Sequence, residues 1–321
     1  MGFINKLLEL SPYPEMLVRR LYYNVPKTIS KIKKKTETSS FRRKKENKDT
    51  STTKLTTLDS LIEHLKKMGI GKGDLLVVHS SMNGLSNLQC RENELIDALI
   101  DLIGSEGTVA LPAFPIESSL DIKDGCKVYD PKRSIAWTGI LPNLLLRRKG
   151  AIRSSFPYNP LVAFGLLAED MTRHNLEDCY AHGPKSCWGF CVKNHAKILY
   201  LGLPAYHSFS LLHTIEDFQP EYWPDDWYIE QNYYVKQGEH NSLVKVKKRD
   251  LKWSKYISER YTEAKFIKDG LIKKADYNGI SIRVIDDSYF FFNTIVGNWE
   301  KYKFFYFPKR MLHLDKAIKG I

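Results

Sequence analysis

Four short runs of apolar residues set the limits on how this chain folds: Leu75-Leu-Val-Val-His79, Thr108-Val-Ala-Leu111, Ile198-Leu-Tyr-Leu-Gly-Leu203 and Ile280 to Ile285. Each has the length of a buried strand, and Pro112 and Pro204 bring the second and third to a stop. Helical stripes lie between them: Leu61, Ile62, Leu65 and Met68 before Gly69, and Leu95 to Ile103 before Gly104. Strands alternating with helices give an α/β sheet. Gly139 to Arg148 reads as a further helix, with Pro142 in its first turn, and Leu161 to Met171 as a strand or helix on the sheet. Tyr228 to Tyr234 and Ser242 to Val246 alternate around a Gly-containing turn and predict a β-hairpin, while 250–268 predicts a charged amphipathic helix. The polar stretch from Ile116 to Arg133 reads as loop, and no internal repeat is present.

The 321 residues suffice for one large α/β domain or two small ones, and a hydrophobic content of 43% supplies a sizeable core. No apolar run approaches the roughly 18 residues of a membrane span. The opening Met-Gly-Phe-Ile-Asn-Lys carries no secretory pattern, and the five cysteines are scattered and odd in number. Both point to a reducing cytoplasm rather than a disulfide framework. The net charge of +12 is uneven, for residues 1–55 hold 14 Lys and Arg against 5 Asp and Glu. The expected organisation is therefore a basic arm over 1–55, a main domain over 56–295 and a basic, aromatic tail over 296–321. In the arm, an amphipathic start precedes two basic clusters, Lys31 to Lys35 and Arg42 to Lys45, in polar sequence that reads as a disordered linker. Peripheral contact of residues 1–50 with an anionic membrane surface fits this pattern. A small helix packed on its own domain or on an oligomer partner fits equally well. Nucleic acid does not, since no binding module accompanies the charge.

Chemistry is best sought at Phe209-Ser-Leu-Leu-His-Thr-Ile-Glu216, directly after the third strand. Ser210 is placed to cap a helix on which His213 and Glu216, three residues apart, share one face. A carboxylate beside an imidazole holds its tautomer and equips it as a general base. The plainer reading is a structural ion pair; the position beyond a central strand favours a site. His79-Ser80-Ser81-Met82 ends the first strand, where backbone N–H groups can hold an anion or a carbonyl. Ser80 lacks the Gly-x-Ser-x-Gly elbow of an acyl-enzyme nucleophile, and His79 reads as a core histidine. Cys187 and Cys191, with His182 and His195 nearby, are too loosely spaced for zinc; buried thiols are favoured and no metal is assigned. Walker A and Gly-x-Gly-x-x-Gly patterns are absent.

Seven stretches in order resemble the aminoglycoside 3-N-acetyltransferase (antibiotic N-acetyltransferase) family. Val77 to Met82 resembles its V-H-S-S-L segment, Gly107 to Phe114 its G-T-L-V-M-P-T-F, and Thr138 to Pro142 its M-G-x-L-P. Arg153-Ser154 opens its R-S-x-H-P, Gly183 to Ser186 resembles G-x-x-S-P, and Lys197 to Gly202 resembles K-V-L-L-L-G. Ser210 to Glu216 matches T-x-L-H-x-x-E. The likeness runs from about 56 to about 290. It implies a three-layer α/β/α sandwich with a mixed, mostly parallel central sheet, moving an acetyl group from acetyl-CoA to an amine. By the same resemblance His213 is the base and Glu216 its orienter. Cofactor contacts are implied for Ser80, Ser81 and Met82 at the thioester and pantetheine end, for Thr138, Gly139 and Ser186, and for Arg153 and Ser154 near the CoA phosphates. Three departures stand out: Phe156 replaces the histidine of R-S-x-H-P, Cys187 the proline after Ser186, and Ser210 the threonine.

The expected acceptor is a small-molecule amino sugar. A polycationic aminoglycoside calls for an acidic groove, whereas this chain is basic. Charge alone therefore favours a nucleotide-linked amino sugar made for a surface polysaccharide, in the cytoplasm or at the inner face of its membrane. The alternatives are an aminoglycoside 3-N-acetyltransferase and a non-catalytic glycan- or partner-binding protein on the same fold. The oligomeric state is not assigned.

Overall fold

The computed structural model describes residues 3–24, 55–311 and 313. The basic clusters Lys31 to Lys35 and Arg42 to Lys45 lie outside the described residues.

The strands are β1 (Thr56–Thr57), β2 (Leu75–Ser80), β3 (Leu88–Gln89), β4 (Thr108–Pro112), β5 (Asp121–Lys123), β6 (Cys126–Tyr129), β7 (Ile152–Arg153), β8 (Leu161–Gly165), β9 (Lys197–Leu201), β10 (Tyr228–Gln237), β11 (His240–Arg249), β12 (Lys273–Tyr277) and β13 (Ile280–Ile285). Seven of them form the main sheet, in the order β12-β13-β9-β2-β4-β8-β7. β2 pairs in parallel with both β4 and β9, while the four outer pairings are antiparallel. The sheet is mixed, but the expectation that it is mostly parallel does not hold. The reason lies in the connections. The helix Glu92–Ile103 makes the crossover from β2 to β4, whereas β12 and β13 are joined by the tight Asn278-Gly279 turn, which only antiparallel strands accept.

The central strands are buried on both faces, which is why they read as continuous apolar runs. Leu75 and Val77 of β2 join Ile198 and Tyr200 of β9 in one core cluster; Leu76 and Val78 join Leu199 and Leu201 in the other. The helices Leu58–Lys67, Glu92–Ile103 and Ile140–Leu145 bury Leu61, Leu65, Leu95, Leu99 and Leu145 on the second face. The helices Cys187–Lys193, His213–Phe218, Glu259–Lys268 and Ser288–Gly297 bury Trp188, Ile215, Phe266 and Phe291 on the first.

A second sheet of four strands, β11-β10-β6-β5, stands beside the first. The predicted hairpin is its longest part, with β10 and β11 paired from Tyr228 opposite Arg249 to Gln237 opposite His240. The segment 116–133 is not loop alone, because β5 and β6 complete this sheet. Its polar sequence fits a short, exposed edge strand.

Neither of the described terminal segments stands apart. Trp299, Tyr302, Phe304 and Phe305 are buried in the first core cluster, so the boundary drawn at residue 295 does not separate a tail. At the other end, the helices Phe3–Leu10 and Pro12–Asn24 lie on the domain. Glu15 is buried and accepts hydrogen bonds from Ser258 Oγ (3.1 Å) and the Arg260 backbone N–H (3.0 Å), Arg19 reaches Glu259 at 2.5 Å, and Met16 joins the core. For residues 3–24 the helix packed on its own domain is the observed arrangement. Leu10, Tyr13, Leu17 and Leu21 face outward, and no helix among the described residues is long and apolar enough to cross a membrane.

Two turns at the carboxyl ends of β2 and β9 touch through glycines. A Cβ on Gly84 would lie 1.7 Å from the Gly202 carbonyl oxygen, and Gly202 holds a φ of +77°. Backbone cannot yield as a flexible side chain does. Gly84→Ala is therefore expected to cost about 3 kcal/mol, at the upper end for overpacked sites. Urea unfolding measures this, and a loss below about 1 kcal/mol, under that same overpacking range, would contradict the close approach.

Candidate active site

The parallel strands end together, and a cavity of about 250 Å³ opens there. Its walls come from the ends of β2 (Val78, His79, Ser80) and β4 (Leu111, Pro112), from Trp137 and Thr138, and from the turn His207 to Ser210 with His213. This is where open α/β sheets hold ligands.

His213 opens the helix His213–Phe218, after a 3₁₀ turn over Ser210–Leu212. Ser210 thus lies inside the preceding turn and lines the cavity, and it does not cap the helix as the sequence suggested. The helical offset of three residues brings His213 Nδ1 to 2.7 Å from Glu216 Oε1. Glu216 is 1% exposed and makes two further bonds. Oε1 accepts from an Arg249 guanidinium nitrogen at 2.9 Å, and Oε2 from the Trp227 indole N–H at 3.1 Å. Burial works to raise this carboxyl, but Arg249, His213 and the indole outweigh it and hold it below the ordinary carboxylate range. A charged Glu216 accepts the Nδ1 proton of His213, which leaves Nε2 with a lone pair.

Behind this pair lies a smaller cleft of about 60 Å³, lined by His213, Glu216, His182, Asp217, Tyr158 and, from β11, Lys247, Lys248 and Arg249. Asp217 points away from Glu216's partners: it accepts from the His182 backbone N–H at 3.0 Å and from the Tyr228 hydroxyl at 3.0 Å. His79, at the floor of the larger cavity, stacks on Tyr200 (4.9 Å between centroids), and burial pushes it down to about 3, so it is neutral. It is a core histidine with one edge on the cavity.

The residues anticipated for cofactor contact divide into two groups. Ser80 and Thr138 line the cavity, and Thr138 donates its hydroxyl proton to the Pro112 carbonyl at 2.5 Å. Gly139, with φ +126°, starts the helix Ile140–Leu145 next to them. The others do not face the cavity. The Ser81 backbone N–H is spent on the Leu201 carbonyl (3.0 Å), so it is no oxyanion donor, and the Met82 side chain packs on the second core cluster. Arg153 is buried, with its guanidinium given to the carbonyls of Ser134 and Ala113, and burial lowers its pKa; it is a structural clamp and cannot reach a phosphate. Ser154 is buried and accepts the Phe156 N–H at 3.2 Å. Ser186 caps the helix Cys187–Lys193, accepting from Gly189 N–H at 3.0 Å. Cys187 and Cys191 are buried free thiols, Cys187 pushed up to about 12 by burial. Phe156 fills a buried cluster with Tyr129, Ala181 and Val246. Arg249, Trp227 and Asp217 were missed, and His182 was weighed only as a zinc ligand. Arg249 lies 33 residues from Glu216 and arrives with the docked hairpin, and no local pattern pairs His182 with Asp217, 35 residues on.

The family model described as aminoglycoside 3-N-acetyltransferase matches residues 77–287, and the chain belongs to that family. Aminoglycoside N(3)-acetyltransferase IX of Micromonospora chalcea is 30% identical over 172 residues, 49% of this chain and 60% of the relative. Aminoglycoside N(3)-acetyltransferase VIII of Streptomyces fradiae is 29% identical over 175 residues, again 60% of its length. The match thus spans about three fifths of these curated relatives. Among solved structures, AAC-IIIb in a binary complex with CoASH superposes with a TM-score of 0.66 at 23% identity, covering 79% of this chain and 99% of that one. AAC-VIa bound to sisomicin gives 0.65 at 19%, covering 77% and 98%. These two show a shared fold.

Arg249 is the cation that lets Glu216 stay charged while buried. Arg249→Met should cost about 3 kcal/mol, as for other buried pairs broken on one side. The sign follows from the depressed carboxyl: its stabilisation is present above the unfolded-state pKa and is lost as pH falls through the lower folded-state value. In the variant that loss should begin at higher pH. Urea unfolding at several pH values between 3 and 7 checks this; parallel profiles for the two proteins would refute it.

Proposed function

We propose that this chain is an acetyl-CoA-dependent N-acetyltransferase acting on a primary amine of an amino sugar, with aminoglycosides the acceptor class best supported. The observation that carries the reading is the His213–Glu216 pair at 2.7 Å, standing where the two cavities meet, in a chain of this family. The amine arrives as an ammonium and has no lone pair to offer until a proton leaves. That first proton goes to solvent; His213 Nε2 accepts the second proton, which nitrogen sheds as the C–N bond forms, and Glu216 stabilises the imidazolium. Acetyl-CoA supplies the acetyl group as a thioester. The larger cavity sets apolar walls from Val78, Leu111, Phe114 and Trp137 against hydrogen-bonding groups on Ser80, Thr138, Asn159 and Ser208, a mixed lining suited to a thioester and the amides of its pantetheine arm. Ser80 and Thr138 are the residues of the resemblance that stay in this role; Gly139 borders it. Arg153, Ser154 and Ser186 do not.

The charge argument from the sequence preferred a nucleotide-linked amino sugar. The comparisons lend it no support and favour the aminoglycoside reading, since the relatives carry that name and AAC-VIa is described with sisomicin bound. One feature of the site keeps an anionic acceptor as the second reading. The cleft beside His213 is lined by three cations, Lys247, Lys248 and Arg249, against two carboxylates, Glu216 and Asp217; Arg249 is bonded to Glu216, and Lys248 and Lys247 lie 3.6 and 3.8 Å from Glu117 and Glu230. A polycation finds no free acid in that lining.

Thiol release from acetyl-CoA, measured across aminoglycosides and across amino sugars bearing a phosphate or carboxylate, separates the two. Turnover of aminoglycosides is expected, with kcat reduced about 10³-fold in His213→Ala, within the range of general-base loss. Acetyl-CoA affinity should not change in that variant. Faster turnover of the anionic sugars would reverse the order of the two readings. Acetyl-CoA binding without turnover on any acceptor would favour a non-catalytic protein.

A further inference from the structure

His182 is a buried polar group next to the chemistry that the reading above does not use. Its side chain is 3% exposed, and Nδ1 lies 3.3 Å from Asp217 Oδ2. Nε2 is buried and has no hydrogen-bond partner. The ring centroid is 5.1 Å from that of His213, and both rings line the smaller cleft. Two imidazole–carboxylate pairs thus stand side by side, His213 with Glu216 and His182 with Asp217; the helix His213–Phe218 carries three of the four, and His182 comes from the loop before the helix Cys187–Lys193.

The two pairs are not equivalent. Asp217 takes the Nδ1 proton of His182, so the neutral ring carries its free lone pair on Nε2. Burial lowers the His182 pKa, Asp217 opposes this, and the nearby His213 pushes it down further. His182 therefore stays neutral when His213 takes up a proton: it can accept a hydrogen bond but is a poor base. An unmade hydrogen bond at a buried nitrogen costs stability that an apolar ring would not. Next door, Phe156 belongs to the same buried cluster as Ala181, the residue before His182, so bulk in this region is already supplied without a polar atom.

We propose that His182 Nε2 accepts a hydrogen bond from the acceptor amine, orienting its lone pair for attack and selecting primary over secondary amines. The proposal rests on the N-acetyltransferase reading. In that reaction R-NH3⁺ first gives one proton to solvent. The amine lone pair then forms the C–N bond, a second proton passes from nitrogen to His213, and the C–S bond breaks as sulfur takes that proton and leaves as the thiol. One N–H persists in the amide. A free primary amine has two N–H groups, one for His213 and one for His182. A secondary amine has only one, so one of the two imidazoles goes unused.

The test compares wild type, His182→Phe and His182→Gln on a primary-amine acceptor and its N-methyl counterpart. Phenylalanine keeps the ring volume; glutamine keeps an acceptor oxygen near the Nε2 position. Phenylalanine should lower kcat for the primary amine about 100-fold, the scale of a lost alignment, with KM for acetyl-CoA unchanged. The N-methyl acceptor should lose only about threefold, well below a full acid–base effect, and glutamine should restore most of the primary-amine preference. An equal loss on both amines, or glutamine no better than phenylalanine, would mean that His182 only ties the 178–186 loop to its helix. Should the variants fold poorly, ¹⁵N NMR of wild-type His182 gives the answer: its Nε2 resonance should move on addition of the amine, and a static resonance overturns the proposal. Absence of turnover by the wild type would sink the enzyme reading itself, whereas turnover with an unchanged amine preference would sink His182 alone.

Discussion

A carboxylate buried to 1% exposure organises the functional half of this molecule. Moving a lone charge from water into a protein interior costs several kcal/mol, and Glu216 is tolerable only because three donors meet it there. Each donor comes from a different place: His213 from its own helix, Trp227 from the approach to β10, and Arg249 from the last residue of β11. The second sheet must dock in one register for Arg249 to arrive. A shift of a single residue would turn that side chain to the other face of the strand and leave the carboxylate without its cation.

The supports of this arrangement reach the end of the described chain. Phe305 lies 4.8 Å from the Trp227 ring, and the Arg249 guanidinium sits over the Phe305 face at 5.6 Å. Trp223 stacks on Trp227 at 4.5 Å and touches Trp299 edge-on. The residues that hold Glu216's donors therefore include several beyond 287, where the family match stops. An aromatic wall behind the indole fixes its N–H direction, and a flat face under the guanidinium does the same for the arginine. Within what looks in sequence like a basic tail, Trp299 and Phe305 are the backing of the site.

The sequence carried the skeleton well because the central strands are buried on both faces and leave unmistakable apolar runs; β13 coincides with its predicted bounds, Ile280–Ile285. The helix stops at Gly69 and Gly104 were legible for the same kind of local reason, a glycine at positive φ. Strand direction was not, because whether β8 runs with or against β4 depends on connections whose geometry no local pattern encodes. β5 was hidden by its exposure. At the site, His213 and Glu216 could be paired on paper because three residues of helix bring them together. Arg249 lies 33 residues from Glu216, and nothing local marks it. Arg153, Ser154 and Ser186 show the opposite error: they resemble motif letters, yet the structure uses them as a carbonyl clamp, a turn and a helix cap. A motif records what a fold needs at a position, and a fold needs joints as well as ligand contacts.

The attachment of the first helices has a consequence for how the protein is made. Arg19 bonds to Glu259, 240 residues further along, and Glu259 itself borders the cavity. On a ribosome adding about 5–20 residues each second, the helix Pro12–Asn24 waits on the order of ten to fifty seconds for its partner. Through that interval Met16, later a core residue, has nothing of its own to cover it, and the outward face of Leu17 and Leu21 is bare as well. A piece made early is thus needed late, and until Glu259 emerges the helix Pro12–Asn24 lacks the surface that later covers Met16.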